Sequence, residues 1–412
     1  MNDIDVPPFF ICPISLEIMK DPVTVSTGIT YDRDSIEKWL FSGKNTTCPV
    51  TKLVISDCEL TPNHTLRRLI QSWCMLNASH GIERIPTPKP PISKAQIIKL
   101  LNDAKSPQQQ INCLKSLQSI ASENATNKRC IESSGAVELL ASIVSNHDYS
   151  AAEGSLHYEF ESIRSTDVAL SILYNLQLSE ASLRNLLFKN GDFIVSLTRV
   201  MQRGRYDSRA YAVLLLNSMV EVADARQLTN LRPELFIELN GVLHDQISKK
   251  ATKASLQLLA GICPWGRNRI KAAEAGVVSV LIDLLLDSSL ERRACEMILT
   301  VLDAVCGCAE GRSELLQHGA GVAIVSKKIL RVSQVASERA VRILLSISKF
   351  CGTTMVLQEM LILGVVAKLC LVLQMDCGFK TKEKAREVLK LHARVWKNSP
   401  CVPTTLLSHY PA

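Results

Sequence analysis

From residue 94 onward the chain alternates short polar stretches with long apolar ones, and the apolar positions recur every three to four residues, the period of helices with one buried face. A glycine marks each change: ESSGAVELLASIV at Gly135, FKNGDFIVSLTRVM at Gly191, AEAGVVSVLIDLLL at Gly276, QHGAGVAIVSKKIL at Gly319 and MLILGVVAKLCLVL at Gly364. Each follows a short helix pattern, as at residues 127–132, and opens a longer apolar one, as at 277–286; a third helix pattern, as at 292–305, completes the unit. The glycines lie 56, 85, 43 and 45 residues apart. Eighty-five is close to two periods, the middle unit being the degenerate LRPELFIELNGVLHD around Pro233, and 56 is one period plus a polar insertion near residues 145–165. Upstream of residue 77 the period shortens. Val23-Thr24-Val25, a turn at Ser26-Thr27-Gly28 and Ile29-Thr30-Tyr31 predict a hairpin. Asp32 is placed to cap a helix carrying Ile36, Trp39 and Leu40, and Asn63 to cap one carrying Leu66, Leu69, Ile70 and Trp73. Two loops, at residues 10–14 and 47–50, bracket this small core.

A repeat of about 40 to 47 residues with two or three helices per unit is the armadillo/HEAT class of α-solenoid, in which stacking makes a core that no single unit can bury. About six units are expected over residues 94–398, and third-helix patterns such as SILYNLQ and LLLNSMV resemble armadillo repeats. Four prolines in NASHGIERIPTPKPPIS, residues 77–93, block helix and central strand and mark an extended joint. The fold class is therefore mainly α: a small α+β domain at 1–76, a Pro-rich linker at 77–93, the solenoid at 94–398 and a tail at 399–412. Composition agrees, because a chain 47% hydrophobic but only 5% aromatic packs aliphatic helices more readily than a large β-sandwich.

Charge and cysteines narrow the function. The net charge of +7 is uneven, with 7 Lys/Arg against 9 Asp/Glu in residues 1–80 and 40 against 31 in the rest, too mild to indicate nucleic acid. Lys380, Lys382, Lys384, Arg386, Lys390, Arg394 and Lys397 read as a solvated final helix. The longest apolar stretch, residues 360–375, contains Lys368 and falls short of the ~20 residues of a transmembrane span, and the acidic start lacks the pattern of a secretory signal. A cytoplasmic or nuclear protein is expected, and its 14 cysteines, with no CxxC, read as reduced thiols, Cys306-Gly307-Cys308 included. Asn175 and Asn217 stand at candidate ladder positions without the tryptophans of importin-like arrays, which disfavours a nuclear-import role.

In the N-terminal segment, FICPISLEIMKDPVTVSTGITYDRDSIEKWL, TCPVTK and LTPNHTLRRLIQSW resemble a U-box over nearly its whole length. The zinc-bound relative, a RING, needs about eight Cys/His ligands; Cys12, Cys48, Cys58, Cys74, His64 and His80 cannot build two sites, so no metal or other cofactor is expected. The loops must then be held by hydrogen bonds and ion pairs, for which Ser15, Glu17, Asp21, Asp32, Arg33, Thr47 and Asn63 are the candidate network. With the proline joint and repeats behind it, the chain resembles plant U-box E3 ubiquitin ligases of the short U-box plus armadillo type.

That resemblance implies a ubiquitin-loaded E2 enzyme docked on Ile14, Leu16, Trp39 and Pro49, with Lys52 at the position where many U-boxes place an arginine bridging E2 and ubiquitin. It implies direct transfer to a substrate lysine with no covalent ubiquitin-E3 intermediate, a protein substrate held in the armadillo groove, and a role in defence or abiotic-stress signalling. A homodimer through the U-box is compatible with it, although no residue specifies one. The alternative is a non-catalytic armadillo scaffold with a degenerate U-box; Lys52 leaves room for it, while intact Ile14, Trp39 and Pro49 weigh against it.

Overall fold

In the computed structural model, which describes residues 5–42, 45–55, 60–78, 82, 92–146, 156–189 and 193–396, the chain packs as two compact units. The first takes Met1–Lys99 and Ser119–Ser134, the second Leu100–Gln118 and Gly135–Ala412. Most of the 77–93 joint, Gly191, Lys397 and the whole of the 399–412 tail lie outside the described residues.

In the first unit the hairpin forms where alternation places it. Strand β1 (Pro22–Thr24) pairs antiparallel with β2 (Thr30–Asp32), Val23 facing Tyr31, and Gly28 turns the chain at φ +80°, where a side chain would be strained. A third strand, β3 (Thr61–Pro62), adds to the other edge of β1 and gives the order β2-β1-β3. Two residues, one of them proline, carry no alternation, so this strand has no sequence signal. Helix α1 (Arg33–Glu37) leaves β2 directly and passes into a π-helical turn, Lys38–Ser42, which carries Trp39 and Leu40. Helix α2 (His64–Leu76) starts at Asn63, whose Oδ1 accepts the Leu66 N–H at 3.0 Å. Met19, Val23, Tyr31, Ile36 and Ile70 are buried, and Phe10 meets Trp73 edge-on at 5.9 Å.

In the second unit a helix pair, Ala136–Ser145 and Leu156–Asn175, precedes five three-helix repeats. The later part of the expected insertion is thus the start of a helix, and residues 147–155 lie outside the described residues. The third helices, Tyr206–Val222, Lys249–Ile262, Arg292–Val305, Gln334–Phe350 and Phe379–Leu391, pack each on the next and bury Leu216, Leu259, Leu302, Leu344 and Leu389. Gly135, Gly276 and Gly364 stand just before their long helices at φ of +82°, +76° and +70°, so the marker glycine is a left-handed turn.

Two repeats turn differently. Around Pro233 the helix Pro233–Asp245 opens on proline, whose ring fixes the helical φ and replaces the glycine turn. In the fourth three-helix repeat the expected marker, Gly319, is not left-handed. The required glycine is Gly321, where a Cβ would lie 2.0 Å from the Leu315 carbonyl oxygen. Asn268, wholly buried, ties consecutive repeats by donating to the carbonyls of Leu228 at 2.6 Å and Ile262 at 2.9 Å. Cys306 is fully buried and its thiol is pushed far up by that burial, as expected of core filler. The apolar stretch at 360–375 is broken between Thr354–Ile362 and Val365–Gln374, which meet at 65°; among the described residues no single helix is long and apolar enough to cross a membrane.

Candidate functional site: two matched loops on one strand

The two loops that bracket the small core are the same structure built twice. Cys12-Pro13-Ile14-Ser15-Leu16-Glu17 and Cys48-Pro49-Val50-Thr51-Lys52-Leu53 align position by position. In the first, Cys12 N–H donates to Glu17 O at 2.8 Å and Leu16 N–H to Cys12 O at 2.9 Å; in the second, Cys48 N–H donates to Leu53 O at 2.8 Å and Lys52 N–H to Cys48 O at 2.9 Å. The hydroxyl accepts two residues on in each, Glu17 N–H to Ser15 Oγ and Leu53 N–H to Thr51 Oγ1, both at 3.4 Å. One bridge closes each base, Ile11 with Ile18 and Thr47 with Val54. The tight return forces the fifth residue left-handed, Leu16 at φ 58° and Lys52 at φ 60°, a conformation that costs a non-glycine residue roughly 1 to 2 kcal/mol. Each loop thus spends backbone strain to aim one side chain outward.

Adjacent residues of β2 hold both loops. Cys12 Sγ accepts the Asp32 N–H at 3.3 Å, and Cys48 Sγ lies 3.0 Å from the Tyr31 hydroxyl, which also accepts the Val50 N–H at 3.3 Å. Both sulfurs are fully buried. Burial alone would raise their pKa values. At Cys12 the backbone N–H groups of Ser15, Asp32 and Ile14 outweigh it, and at Cys48 the facing hydroxyls of Thr27, Thr51 and Tyr31 bring the thiol down to about 6. Burial, then the Cys48 contact, pushes the Tyr31 phenol well up. These sulfurs act as hydrogen-bond acceptors at the centre of each loop. Among the described residues no group of three His, Cys, Asp or Glu is placed to hold a metal ion; Cys58 and His80 lie outside them.

The polar network differs in part from its expected form. Asp32 stands at the start of α1 but makes no side-chain cap; its Oδ1 instead accepts the N–H groups of Lys20 and Asp21 at 2.8 and 2.9 Å, locking the strand that follows the first loop. Asp21 pairs with Arg33 Nε at 2.6 Å and lies 3.7 Å from Arg67, a partner the sequence reading did not include. Thr47 contributes its carbonyl, which accepts the Trp39 Nε1–H at 2.8 Å. Ser15 and Glu17 are exposed at the tip of the first loop; the Ser15 hydroxyl shapes the turn and also bonds the Cys12 thiol, as Thr51 does that of Cys48, whereas Glu17 contributes its backbone. Tyr31, Cys12, Cys48 and Arg67 were missed, although the doubled Cys-Pro pattern was a readable signal for the two cysteines.

The outward residues form an apolar surface. Leu16 is 76% exposed, and Val50, Leu53 and Val54, not singled out from the sequence, are also exposed. Ile14, Trp39 and Pro49 are half-buried, Ile14 and Trp39 packing against the core below. Lys52 Nζ lies 6.0 Å from the centre of the Trp39 ring, bringing the second loop and the π-helical turn together. Because acceptor sulfurs and a carboxylate organise the loops, strong zinc chelators are expected to leave hydrogen-exchange protection over residues 12–32 and 48–53 unchanged. Loss of protection accompanied by zinc release would show that metal holds the loops.

Residues 6–79 match the family described as U-box domain, and residues 95–412 the family described as Plant U-box protein ARM repeat region. The E3 ubiquitin-protein ligase PUB23 of Arabidopsis thaliana is 62% identical over 415 residues, covering 100% of this chain and 98% of the relative. The E3 ubiquitin-protein ligase PUB22 of the same plant is 60% identical over 433 residues, covering 100% of both. The repeat fold recurs in a solved structure from work on a phosphorylation switch controlling the interaction between cadherin and beta-catenin, with a TM-score of 0.58 at 14% identity over 82% of this chain and 58% of that one. With both regions matched and full-length relatives of this similarity, the chain belongs to the plant U-box, ARM-repeat family of E3 ubiquitin-protein ligases.

Proposed function

We propose that the two matched loops dock a ubiquitin-loaded E2, with Ile14, Leu16, Trp39 and Pro49 as apolar contacts and Lys52 as a cation facing E2 and its ubiquitin, while the repeats hold the protein substrate. The observation that carries the proposal is Leu16, held left-handed and 76% exposed by a loop whose base is rigidly bonded. Exposed apolar side chains on a fixed frame suit a small transient interface. No nucleophile is needed. The gain is orientation: an E2 thioester held so that a lysine amine attacks its carbonyl, ubiquitin's new amide forming as the E2 thiolate leaves. On family resemblance the proposal extends to defence or abiotic-stress signalling in the cytoplasm or nucleus.

Lys52 tests the second half of the loop assignment. Its contact with the Trp39 face is worth about 0.5 to 1 kcal/mol at an exposed site, weak enough to be exchanged for a ubiquitin or E2 acceptor. Arginine offers a planar fork of donors where lysine offers a point charge on a flexible stem. Lys52→Arg is expected to speed discharge of ubiquitin from E2 and Lys52→Ala to slow it, with affinity for unloaded E2 nearly unchanged in both. Equal discharge by all three proteins would place Lys52 in solvent only.

A further inference from the structure

We propose that the groove along the last four third helices, Lys249–Ile262, Arg292–Val305, Gln334–Phe350 and Phe379–Leu391, is a docking surface for an acidic peptide segment carrying an apolar residue. The inference rests on the reading that the repeats hold the substrate and names the chemistry of the segment they hold.

The groove has a volume of about 680 Å³ and is lined by side chains from all four of these helices and by Pro264 and Arg269 after the first. Thr300 is followed on one helix face by Asp303 and Ala304, three and four residues on, and Arg339, Arg342, Ser346 and Lys349 follow each other at three- and four-residue steps. Its wall carries five cations, Arg269, Arg339, Arg342, Lys349 and Lys384, against one carboxylate, Asp303. Asp303 is only 9% exposed and is already engaged, by Arg339 Nη1 at 2.9 Å and Arg342 Nε at 2.7 Å. It therefore positions two guanidiniums without neutralising the wall, and each guanidinium has five N–H donors of which this contact uses one. Arg339 Nε is buried with no hydrogen-bond partner.

Two further acids touch the wall. Glu338 lies 3.6 Å from Lys384 and Glu387 lies 2.5 Å from Lys349. Partly exposed pairs of this kind contribute about 0 to 1 kcal/mol, so a ligand carboxylate can replace either acid at little cost. Lys384, expected to be solvated on a terminal helix, is thus part of the groove. Gly307, flanked by Cys306 and Cys308, has a place here too: a Cβ would lie 2.9 Å from Arg269 Nη1, so glycine lets that guanidinium rest on the groove floor.

An apolar anchor stands beside the charges. Phe350 is 68% exposed and lines the groove, with the guanidinium of Arg312 fixed at 4.6 Å from its ring centre. The cation–π contact fixes the ring in place, and aromatic residues and arginines are the side chains enriched at the centre of protein interfaces. Discrete acids at the rim would repel a continuous phosphate backbone, whereas a peptide can place its carboxylates between them; this favours a peptide over nucleic acid. The excess of 40 Lys/Arg over 31 Asp/Glu after residue 80 adds a field that draws acidic partners.

The full chain is tested by fluorescence anisotropy against a labelled short peptide of alternating Glu and Asp around one Phe, with a Lys/Arg peptide and a single-stranded oligonucleotide as comparisons. The acidic peptide should bind at least tenfold tighter than the basic one, and binding should fall with added salt. The double reversal Arg342→Glu with Lys349→Glu should weaken it at least tenfold, and the milder Arg342→Gln with Lys349→Gln at least threefold. Lys249→Glu with Lys250→Glu, the same charge change at exposed positions at the far end of the first helix from Ala260, its one residue lining the groove, should leave binding within twofold. Equal binding by the wild type and both groove variants, or tighter binding of the oligonucleotide than of the acidic peptide, overturns the inference. Circular dichroism, dominated by the helices of the repeats, serves as the folding control for the groove variants, and discharge of E2 onto free lysine shows that the loops are unaffected. Repeat-dependent ubiquitination of lysate proteins that survives the double reversal unchanged also overturns the acidic-segment reading, while leaving the repeats as the substrate arm.

Discussion

Asp32→Ala is expected to release the first loop. The Asp32 carboxylate accepts two backbone N–H groups, those of Lys20 and Asp21, and hydrogen bonds to a charged acceptor contribute about 1.5 to 3 kcal/mol each. Alanine leaves both donors without their acceptor and frees Asp21, whose pairing with Arg33 depends on this backbone position. A loss of about 3 kcal/mol is a large share of what an ~80-residue domain holds at roughly 0.05 to 0.15 kcal/mol per residue. Hydrogen exchange reads the effect directly: protection over residues 12–32 should fall about 100-fold or more, while exchange in the repeats stays as in the wild type. Asp32→Asn, which keeps an acceptor oxygen but loses the charge, should fall between the two. Unchanged protection in Asp32→Ala would mean that the cysteine contacts to β2 hold the loop alone.

The second large effect is at Ile14. Its side chain is half-buried, with one part packed on the core and the rest turned to the surface beside Leu16. Truncating an apolar anchor near the middle of an interface costs about 1 to 3 kcal/mol of binding, whereas the small loss of core packing leaves the domain folded. Ile14→Ala should therefore weaken E2 binding by about fivefold to more than 100-fold, with the circular dichroism of the wild type. An unfolded variant would assign Ile14 to the core only, and wild-type affinity would remove it from the contact surface.

Much of this architecture was legible in the sequence, for physical reasons. Helix period and the repeating glycine are local signals, and the left-handed turns at Gly135, Gly276 and Gly364 show why the marker is glycine. The signal failed where another device does the same work, as with Pro233, or where contact with the preceding helix makes a neighbouring glycine obligatory, as with Gly321. In the loop site, side-chain type was readable but direction was not. Asp32 has the sequence position of a helix cap, yet its carboxylate turns to the strand before it, because the pairing of β1 with β2 brings the Lys20 and Asp21 amides within reach. Ser15 and Glu17 are polar residues near the loop, and nothing local distinguishes the tip from the base. Tyr31 alternates inward like any strand residue; that its hydroxyl ends on Cys48 and Val50 depends on a loop about twenty residues away.

Leu16 gives the most direct test of the claim that the matched loops dock E2. Leu16→Asp places a charge on the exposed tip without disturbing the frame, since aspartate is among the few side chains that tolerate the left-handed backbone found there. Single-turnover discharge of ubiquitin from a preloaded E2 onto free lysine should slow at least tenfold in this variant, with hydrogen exchange over residues 12–32 unchanged. Discharge at the wild-type rate by the folded variant would contradict the account.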